Sequence, residues 1–290
     1  MSAAGHLRSK IAVTVLACLL TAAANAPAPS ESNTRAATSI YAADRWPGYL
    51  DAGERPDSVS LAPPPPAEGS ARLAADVEGY KSTRALRDTA RWRLARSDSD
   101  LKFPHAAGTF SCALGVRIEP TTLPNLYELL QRTIVDAGQS TYAAKDKYRR
   151  PRPYAVYGDA ICVPEDAERL RTSGAYPSGH ASLGWVWALM LAELAPERAD
   201  ALLARGLAFG ESRVICGVHW PSDIDAGRTI AAAVFAKLHS KPEFVAQMRA
   251  AKVEIAKARA TSDPARVAEC AIERTALAEN ASTVAGLRAQ

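Results

Sequence analysis

Apolar residues recur along this chain at intervals of three and four, the spacing of one face of an α-helix. The first stripes are Leu73, Val77 and Tyr80, then Leu86, Ala90 and Leu94, and further helices are expected at 124–148, 178–194, 196–210, 221–238 and 242–259. Strand-like alternation of apolar and polar residues is nearly absent. The pattern therefore predicts an all-α fold, with one compact multi-helix domain over residues 71–259.

The sequence outside that domain divides into three segments. Residues 1–26 combine basic residues with an apolar run and small residues, the layout of a secretory signal cleaved after Ala24 or Ala26. Residues 27–70 are rich in Pro, Ala and Ser and predict an extended arm, since its four consecutive prolines fit neither a helix nor a central strand. Residues 260–290 predict a polar, Ala-rich helical tail. The signal predicts export to the periplasm.

The apolar run in residues 1–26 has two other interpretations. A membrane anchor is one, but the run is shorter than the ~20 apolar residues that a spanning helix needs. A lipoprotein site at Cys18 is the other, and Leu16 fits that pattern poorly. Beyond the signal no apolar run approaches spanning length, so we expect no stable membrane association after cleavage.

Composition narrows the class of protein only slightly. The 290 residues are 48% hydrophobic and 23% charged, which excludes disorder along the whole length. The chain has 35 basic and 31 acidic residues, a net charge of +4. Arg8 and Lys10 account for two of those positive charges and would leave with the signal. So close a balance predicts no nucleic-acid binding, and it leaves the oligomeric state open, with a homo-oligomer among the alternatives.

Four cysteines follow the signal, and an even number in an exported chain predicts two disulfides. They are Cys112, Cys162, Cys216 and Cys270. Because no C-x-x-C spacing occurs, we expect neither a zinc site nor a thioredoxin-like redox motif. Of the three connectivities, we expect Cys112 with Cys162 and Cys216 with Cys270, the second pair tying the tail to the body.

Three short clusters contain the candidate chemistry. They lie at 145–153 (KDKYRRPRP), 176–180 (YPSGH) and 212–223, which carries Ser, Arg, His and Asp. Each alone has an ordinary structural explanation: a solvated basic surface, a helix N-cap, or a structural histidine. Together they indicate a site for a tetrahedral phosphate group.

A phosphate dianion needs fixed donors on several sides, and the clusters supply them. The candidate phosphate-binding residues are Lys145, Arg152, Ser178, Gly179 and Arg213, joined by the backbone N–H groups of Ser178, Gly179 and His180 at a helix start. Chemistry also needs a nucleophile and an acid. Asp223, in the first turn of a helix, can hold the Nδ1 of His219 and leave its Nε2 as the nucleophile, with His180 as general acid.

The pattern K-x6-R-P, then P-S-G-H, then S-R-x5-H-x3-D resembles the signature of the phosphatidic acid phosphatase type two superfamily. The wider sequence is similar to the soluble branch, the bacterial class A non-specific acid phosphatases, over most of residues 61–245. The matching positions are Lys145, Arg152 and Pro153; Pro177, Ser178, Gly179 and His180; and Ser212, Arg213, His219 and Asp223. Arg152 sets the register, because Lys145 stands seven positions before it, whereas the competing Arg150 has Ala143 there.

This resemblance implies an all-α, metal-independent enzyme without a cofactor that hydrolyses phosphomonoesters of broad specificity at acidic pH. It implies a phosphohistidine intermediate on His219 and leaves phosphotransfer to other alcohols open. Small phosphomonoesters are the expected partners. Two departures, Ala181 where Thr is frequent and Pro221 where Gln is frequent, involve no proposed phosphate ligand.

Three other functions compete with this one. A vanadium-dependent haloperoxidase could use the same ligands, since vanadate and phosphate share shape and charge, but haloperoxidases of this pattern tend to be much longer. A membrane lipid phosphatase would need apolar spans. A periplasmic phosphate-binding non-enzyme would have no use for a His219–Asp223 pair.

Overall fold

Helices make up the regular structure of the computed structural model, which describes Met1 and residues 46–259 and 264–278; that part of the chain contains no strand. The α-helices in chain order are α1 Ser58–Leu61, α2 Ala71–Ser82, α3 Ala90–Ser97, α4 His105–Gly108, α5 Ser111–Leu114, α6 Pro124–Gln139, α7 Tyr142–Tyr148, α8 Pro153–Tyr157, α9 Ala167–Arg171, α10 Gly179–Leu194, α11 Ala199–Ile215, α12 Pro221–Leu238, α13 Pro242–Ala258 and α14 Pro264–Ala278. Short 3-10 helices occur at Thr83–Leu86, Pro164–Asp166 and Pro196–Arg198. The all-α prediction is confirmed.

Helix α10 forms the centre of the core because it is apolar on nearly every face. Its N-terminus is capped by Ser178, whose hydroxyl accepts the N–H of Ala181 at 3.3 Å. Trp187 and Leu191, in its middle and last turns, are fully buried. Helices α6, α11 and α12 pack around it. The candidate residues at the N-terminal end of α10 therefore lie on a helix that is held on several sides.

Two glycines allow the neighbouring helices to approach α10 closely. A Cβ at Gly206 of α11 would lie 2.4 Å from the Cβ of Ala188, and one at Gly227 of α12 would lie 2.6 Å from the carbonyl oxygen of Ser178. Larger side chains would force the helices apart. The close approach at Gly227 brings the start of α12 against the start of α10, and with it two of the three candidate clusters.

The helix predicted over 124–148 is interrupted, so that prediction is wrong at one point. Helix α6 ends at Gln139 and α7 begins at Tyr142. The hydroxyls of Ser140 and Thr141 each donate to a carbonyl of the preceding turn, at 2.7 Å. Such side-chain bonds compete with the helical ladder. The break lets α7 turn away from α6 and carry Lys145 on a short helix of its own.

Two other helix boundaries also differ from expectation. The stripe through 86–94 is broken at Asp88, which has a positive φ of 65°, and α3 begins only after Thr89, whose hydroxyl accepts the N–H of Trp92. The predicted 196–210 helix starts as a 3-10 turn and then continues as α11 to Ile215. This extension places Arg213 within a helix.

The segments outside 71–259 are described only in part. Residues 2–45, which include nearly all of the predicted signal, lie outside the described residues, as do 260–263 and 279–290. Part of the predicted arm packs against the domain: Tyr49 and Leu50 are buried, and their N–H groups donate to Asp136 at 2.9 and 3.0 Å. The arm is not extended throughout, because Ser58–Leu61 form helix α1. The predicted tail contains α14.

The expected disulfide pairing is wrong. The bonds join Cys112 with Cys270 and Cys162 with Cys216. Cys112 pairs with the tail because α5 packs against α14. Cys162 and Cys216 lie on adjacent loop segments, where the Cys162 N–H donates to the Cys216 carbonyl at 3.1 Å. Cys270 does tie the tail to the body, through a different partner from the one expected.

Candidate active site

The candidate nucleophile, His219, lies in the loop just before α12. Its backbone N–H and that of Val218 donate to the carbonyl of Arg213, at 3.3 and 3.1 Å, so the chain folds back on the end of α11. This turn explains the spacing between Arg and His in the third cluster. It also places the His219 ring in the interior, where only 3% of the residue is exposed.

Two charged groups hold opposite edges of the His219 ring. Asp223 lies in the first turn of α12, and its Oδ2 accepts the backbone N–H of Trp220 at 2.9 Å and lies 3.1 Å from His219 Nδ1. On the other edge, Arg152 Nη1 lies 3.0 Å from His219 Nε2. A guanidinium only donates, so Nε2 must accept and the ring proton resides on Nδ1. The imidazole is therefore oriented with a lone pair on Nε2.

The three candidate phosphate cations come from separate helices or their ends. Lys145 lies in the last turn of α7, and its Nζ donates to the Gly174 carbonyl at 2.9 Å. Arg152 precedes α8 in an extended conformation and donates to the Val218 carbonyl at 2.9 Å. Arg213 lies near the end of α11. All three are buried.

Burial and charge shift the pKa values of these groups in a consistent direction. Desolvation, followed by the charges of Arg152, Lys145 and Arg213, holds the pKa of His219 well below its usual range. Burial and Arg152 likewise lower the pKa of the Lys145 ammonium. Three cationic side chains around a neutral imidazole favour an anionic ligand. That ligand would lie next to Nε2.

The start of α10 supplies neutral donors, with one departure from expectation. The Ser178 backbone N–H donates to the carbonyl of Asp223 at 2.9 Å, so the prediction that this amide binds phosphate is wrong. Its hydroxyl accepts from Ala181 and still has a proton to donate. Gly179 and His180 occupy the first turn, where backbone N–H groups have no acceptor within the helix.

His180, the candidate general acid, is fixed by a backbone carbonyl. Its Nε2 lies 3.2 Å from the carbonyl oxygen of Ser99, and since a carbonyl only accepts, Nε2 carries a proton and Nδ1 is the nitrogen that titrates. Burial, followed by the charge of Arg213, holds the pKa of His180 well below its usual range. A negatively charged ligand beside Arg213 would oppose that shift.

Sequence reasoning missed Arg150, which supports Asp223 from behind. Its Nη1 contacts Asp223 Oδ1 and its Nη2 contacts Asp76 Oδ2, both at 2.6 Å. Asp76 in turn accepts from the Ser222 N–H at 2.8 Å. Burial raises the pKa of Asp223, and the Arg150 charge opposes that rise. The only sequence signal was a general one: a buried carboxylate that orients a histidine needs a cation of its own.

A second missed cluster surrounds Ser212, the motif serine. Its hydroxyl donates to Asp98 Oδ2 at 2.6 Å and accepts from Arg91 Nη1 at 2.9 Å, so its hydroxyl is engaged within this cluster. Arg205 Nη1 donates to the same Asp98 oxygen at 3.2 Å.

A cavity of about 700 Å³ lies beside Ser99, the residue that follows Asp98 in the chain. Its wall includes Trp46, Leu101, Lys102 and Arg169.

Within residues 46–259 and 264–278, no group of three or more His, Cys, Asp or Glu side chains is arranged to hold a metal ion. No helix in them has the length and apolar character needed to cross a bilayer.

Comparison with known proteins identifies the family. Residues 129–244 match the PAP2 superfamily. A non-specific acid phosphatase of Providencia stuartii is 46% identical over 210 residues, which cover 72% of this chain and 85% of the relative. An acid phosphatase of Zymomonas mobilis is 38% identical over 76% of this chain and 83% of its own length, and a non-specific acid phosphatase of Salmonella typhimurium is 38% identical over 70% and 81%. The chain therefore belongs to the PAP2 superfamily, among the bacterial class A non-specific acid phosphatases.

Proposed function

We propose that this protein is a broad-specificity acid phosphatase that hydrolyses phosphomonoesters through a phosphohistidine on His219. The observation that carries the proposal is the His219 ring, buried between Asp223 at 3.1 Å and Arg152 at 3.0 Å. A simple anion-binding module would need the cations but would not need an oriented lone pair among them. The names of the relatives support the same reaction class.

In the first half-reaction, His219 Nε2 attacks phosphorus, and an N–P bond forms as the bond to the leaving oxygen breaks. The proton on His180 Nδ1 passes to that oxygen, so the alcohol departs neutral. Lys145, Arg152 and Arg213 neutralise the charge on the non-bridging phosphate oxygens. Asp223 stabilises the positive charge that develops on the His219 ring.

In the second half-reaction, water attacks the phosphohistidine. His180, now neutral, takes a proton from the water as the N–P bond breaks, and phosphate leaves with His219 restored. An alcohol in place of water would give phosphotransfer by the same steps. Since the proposed groups all address phosphate, we expect broad tolerance of leaving groups and no requirement for a metal ion.

Burial and nearby cations lower the pKa values of both His219 and His180 in the free enzyme. A phosphate dianion beside Arg213 would oppose that shift at His180, so we propose that His180 acquires its proton in the substrate complex at acidic pH. Two disulfides, Cys112–Cys270 and Cys162–Cys216, support an oxidising location such as the periplasm.

The direct test compares His219→Ala with the control His239→Ala. His239 is an exposed residue at the end of α12. With p-nitrophenyl phosphate we expect His219→Ala to lose about 10³-fold or more in kcat, and His239→Ala to match the wild type. EDTA should leave the wild-type rate unchanged. Turnover by His219→Ala within a few-fold of wild type would refute the nucleophile, and loss of activity in EDTA would refute the metal-independent site.

A further inference from the structure

We propose that Ser99 is a positioning residue for this reaction, holding the His180 ring with its carbonyl and the Arg213 guanidinium with its hydroxyl. The inference rests on the proposed roles of His180 and Arg213 and extends them. Ser99 lies outside all three sequence clusters, just after the end of α3.

The contacts of Ser99 reach both sides of the proposed phosphate position. Its hydroxyl accepts a hydrogen bond from Arg213 Nη1 and donates its own proton to the Ala95 carbonyl at 2.9 Å. Its carbonyl oxygen lies 3.2 Å from His180 Nε2. One residue thus sets the distance between a phosphate-binding cation and the acid that protonates the leaving group.

The backbone of Ser99 is itself held in place by its neighbour. The Asp98 N–H donates to the Leu94 carbonyl at 2.8 Å as α3 ends, and its fully buried carboxylate is bound by Arg205 and Ser212. On the other side of Ser99, its hydroxyl lies 3.7 Å from Cys162 Sγ and 3.8 Å from Cys216 Sγ. The residue therefore has little freedom to move, as positioning requires.

The two contacts predict separable effects. The hydroxyl aligns Arg213, so its loss should weaken phosphate binding and leave the acid in place. The carbonyl keeps a proton on His180 Nε2, so it determines which nitrogen titrates. A residue that only stabilises the fold would alter neither phosphate affinity nor the histidine tautomer at unchanged stability.

The first test measures inorganic phosphate binding by calorimetry and the kinetics of p-nitrophenyl phosphate hydrolysis for Ser99→Ala. The matched control is Ser97→Ala, since Ser97 is also half-buried and lines the same cavity but contacts His105. We expect Ser99→Ala to raise the phosphate Kd and KM about fivefold to tenfold, with kcat within about twofold. Ser97→Ala should leave Kd and KM unchanged, and urea midpoints should match for all three proteins.

Wild-type affinity in Ser99→Ala, or an equal loss in Ser97→Ala, would overturn the hydroxyl contact. Because phosphate binding is measured without turnover, an inactive wild type would count against the proposed function and still leave this test intact. Should Ser99→Ala be unstable, Ser99→Thr keeps the hydroxyl and should bind phosphate like the wild type; a fivefold loss there would also overturn the contact.

The second test reads the carbonyl contact in the intact protein. ¹⁵N-histidine NMR of the wild type, with His180→Gln to assign the signal, should show His180 protonated on Nε2 at neutral pH. A neutral His180 carrying its proton on Nδ1 would contradict the contact with the Ser99 carbonyl.

Discussion

Two buried arginines each bridge two carboxylates, and each bridge leads to one of the two candidate catalytic histidines. Arg150 joins Asp76 and Asp223, both at 2.6 Å. Arg205 binds Asp98 and lies 3.5 Å from Glu273 of α14. We call these the nucleophile-side and the acid-side clusters.

The clusters differ in how directly they reach the chemistry. On the nucleophile side, Asp223 touches His219 itself, so its charge acts on the ring. On the acid side, the Asp98 carboxylate fixes only the backbone that presents the Ser99 carbonyl to His180. A carboxylate that contacts the imidazole of His219 is expected to change the activation barrier of the reaction. A carboxylate that holds only the backbone beside His180 is expected to change the position of that ring. The same arrangement of residues should therefore have unequal catalytic consequences.

The largest effect is expected for Asp223→Asn. The amide can no longer stabilise charge on the His219 ring or enforce its tautomer, so kcat should fall by about 10²- to 10⁴-fold. Steady-state kinetics with p-nitrophenyl phosphate measures the loss. Asp225→Asn is the control, because Asp225 lies on the same helix but is exposed and pairs with Arg228. Similar kcat values for the two variants would contradict the special role of Asp223.

Arg150→Met should damage both stability and rate. It leaves Asp76 and Asp223 buried without their cation, which typically costs about 3–5 kcal/mol, and it loosens the carboxylate that orients His219. Urea denaturation and kcat together measure the effect, with the exposed neighbour Arg149→Met as control. Loss of stability with an unchanged kcat would show that the nucleophile-side cluster does not orient His219 for the reaction.

Arg205→Met tests the other half of the comparison. The loss of stability should be similar, about 3–5 kcal/mol, because Asp98 is equally buried. The rate should fall mainly for esters with poor leaving groups, since those depend on the His180 proton. Phenyl phosphate and p-nitrophenyl phosphate give the contrast. Equal losses on both esters would argue against an acid-side role.

The two disulfides should separate stability from activity. Cys112–Cys270 closes 158 residues and Cys162–Cys216 closes 54, so chain entropy predicts about 1 kcal/mol more stabilisation from the longer loop. Replacing Cys112 and Cys270 by Ser should therefore lower the urea midpoint further. Replacing Cys162 and Cys216 by Ser should lower the affinity for phosphate more than replacing Cys112 and Cys270 does, because the sulfurs of Cys162 and Cys216 contact the Ser99 hydroxyl. A larger loss of phosphate affinity in the variant without Cys112–Cys270 would contradict the proposed contact between the other disulfide and Ser99.

The smallest effect is a pH dependence of stability. Burial and nearby cations lower the pKa values of both His180 and His219, so the unfolded chain binds protons on these residues before the folded chain does as the pH falls. The stability that they contribute is present above their ordinary pKa and is lost as the pH drops through their folded values. The urea concentration at the unfolding midpoint should decrease as the pH is lowered from about 7 to about 5. The decrease should be smaller in His180→Gln. An equal slope in that variant would contradict a depressed pKa for His180.

Sequence alone predicts best what local signals specify. The start of α10 follows from Ser178 as N-cap and that of α12 from Pro221 in the first turn, and both elements appear where the pattern placed them. The break at Ser140 and Thr141 was missed because two hydroxyls satisfied backbone carbonyls that periodicity assigned to a continuous helix.

The supports of the site were beyond local reasoning. Asp76 lies 74 residues from Arg150, and Asp98 lies 107 residues from Arg205. Only packing brings such residues together, and neither spacing nor composition encodes which carboxylate meets which arginine. The disulfide pairing failed for the same reason. The sequence clusters contain the candidate phosphate-binding and nucleophile residues, whereas Asp76, Asp98 and Ser99, which contact their supports or hold them, lie elsewhere in the chain.

The most direct test of the account is rapid-quench trapping of a phosphoenzyme during turnover of a ³²P-labelled ester. We expect label on the peptide containing His219, labile in acid and stable in base, formed and lost at rates consistent with kcat. Hydrolysis at full rate with no trapped label, or label on any other residue, would contradict His219 as the nucleophile.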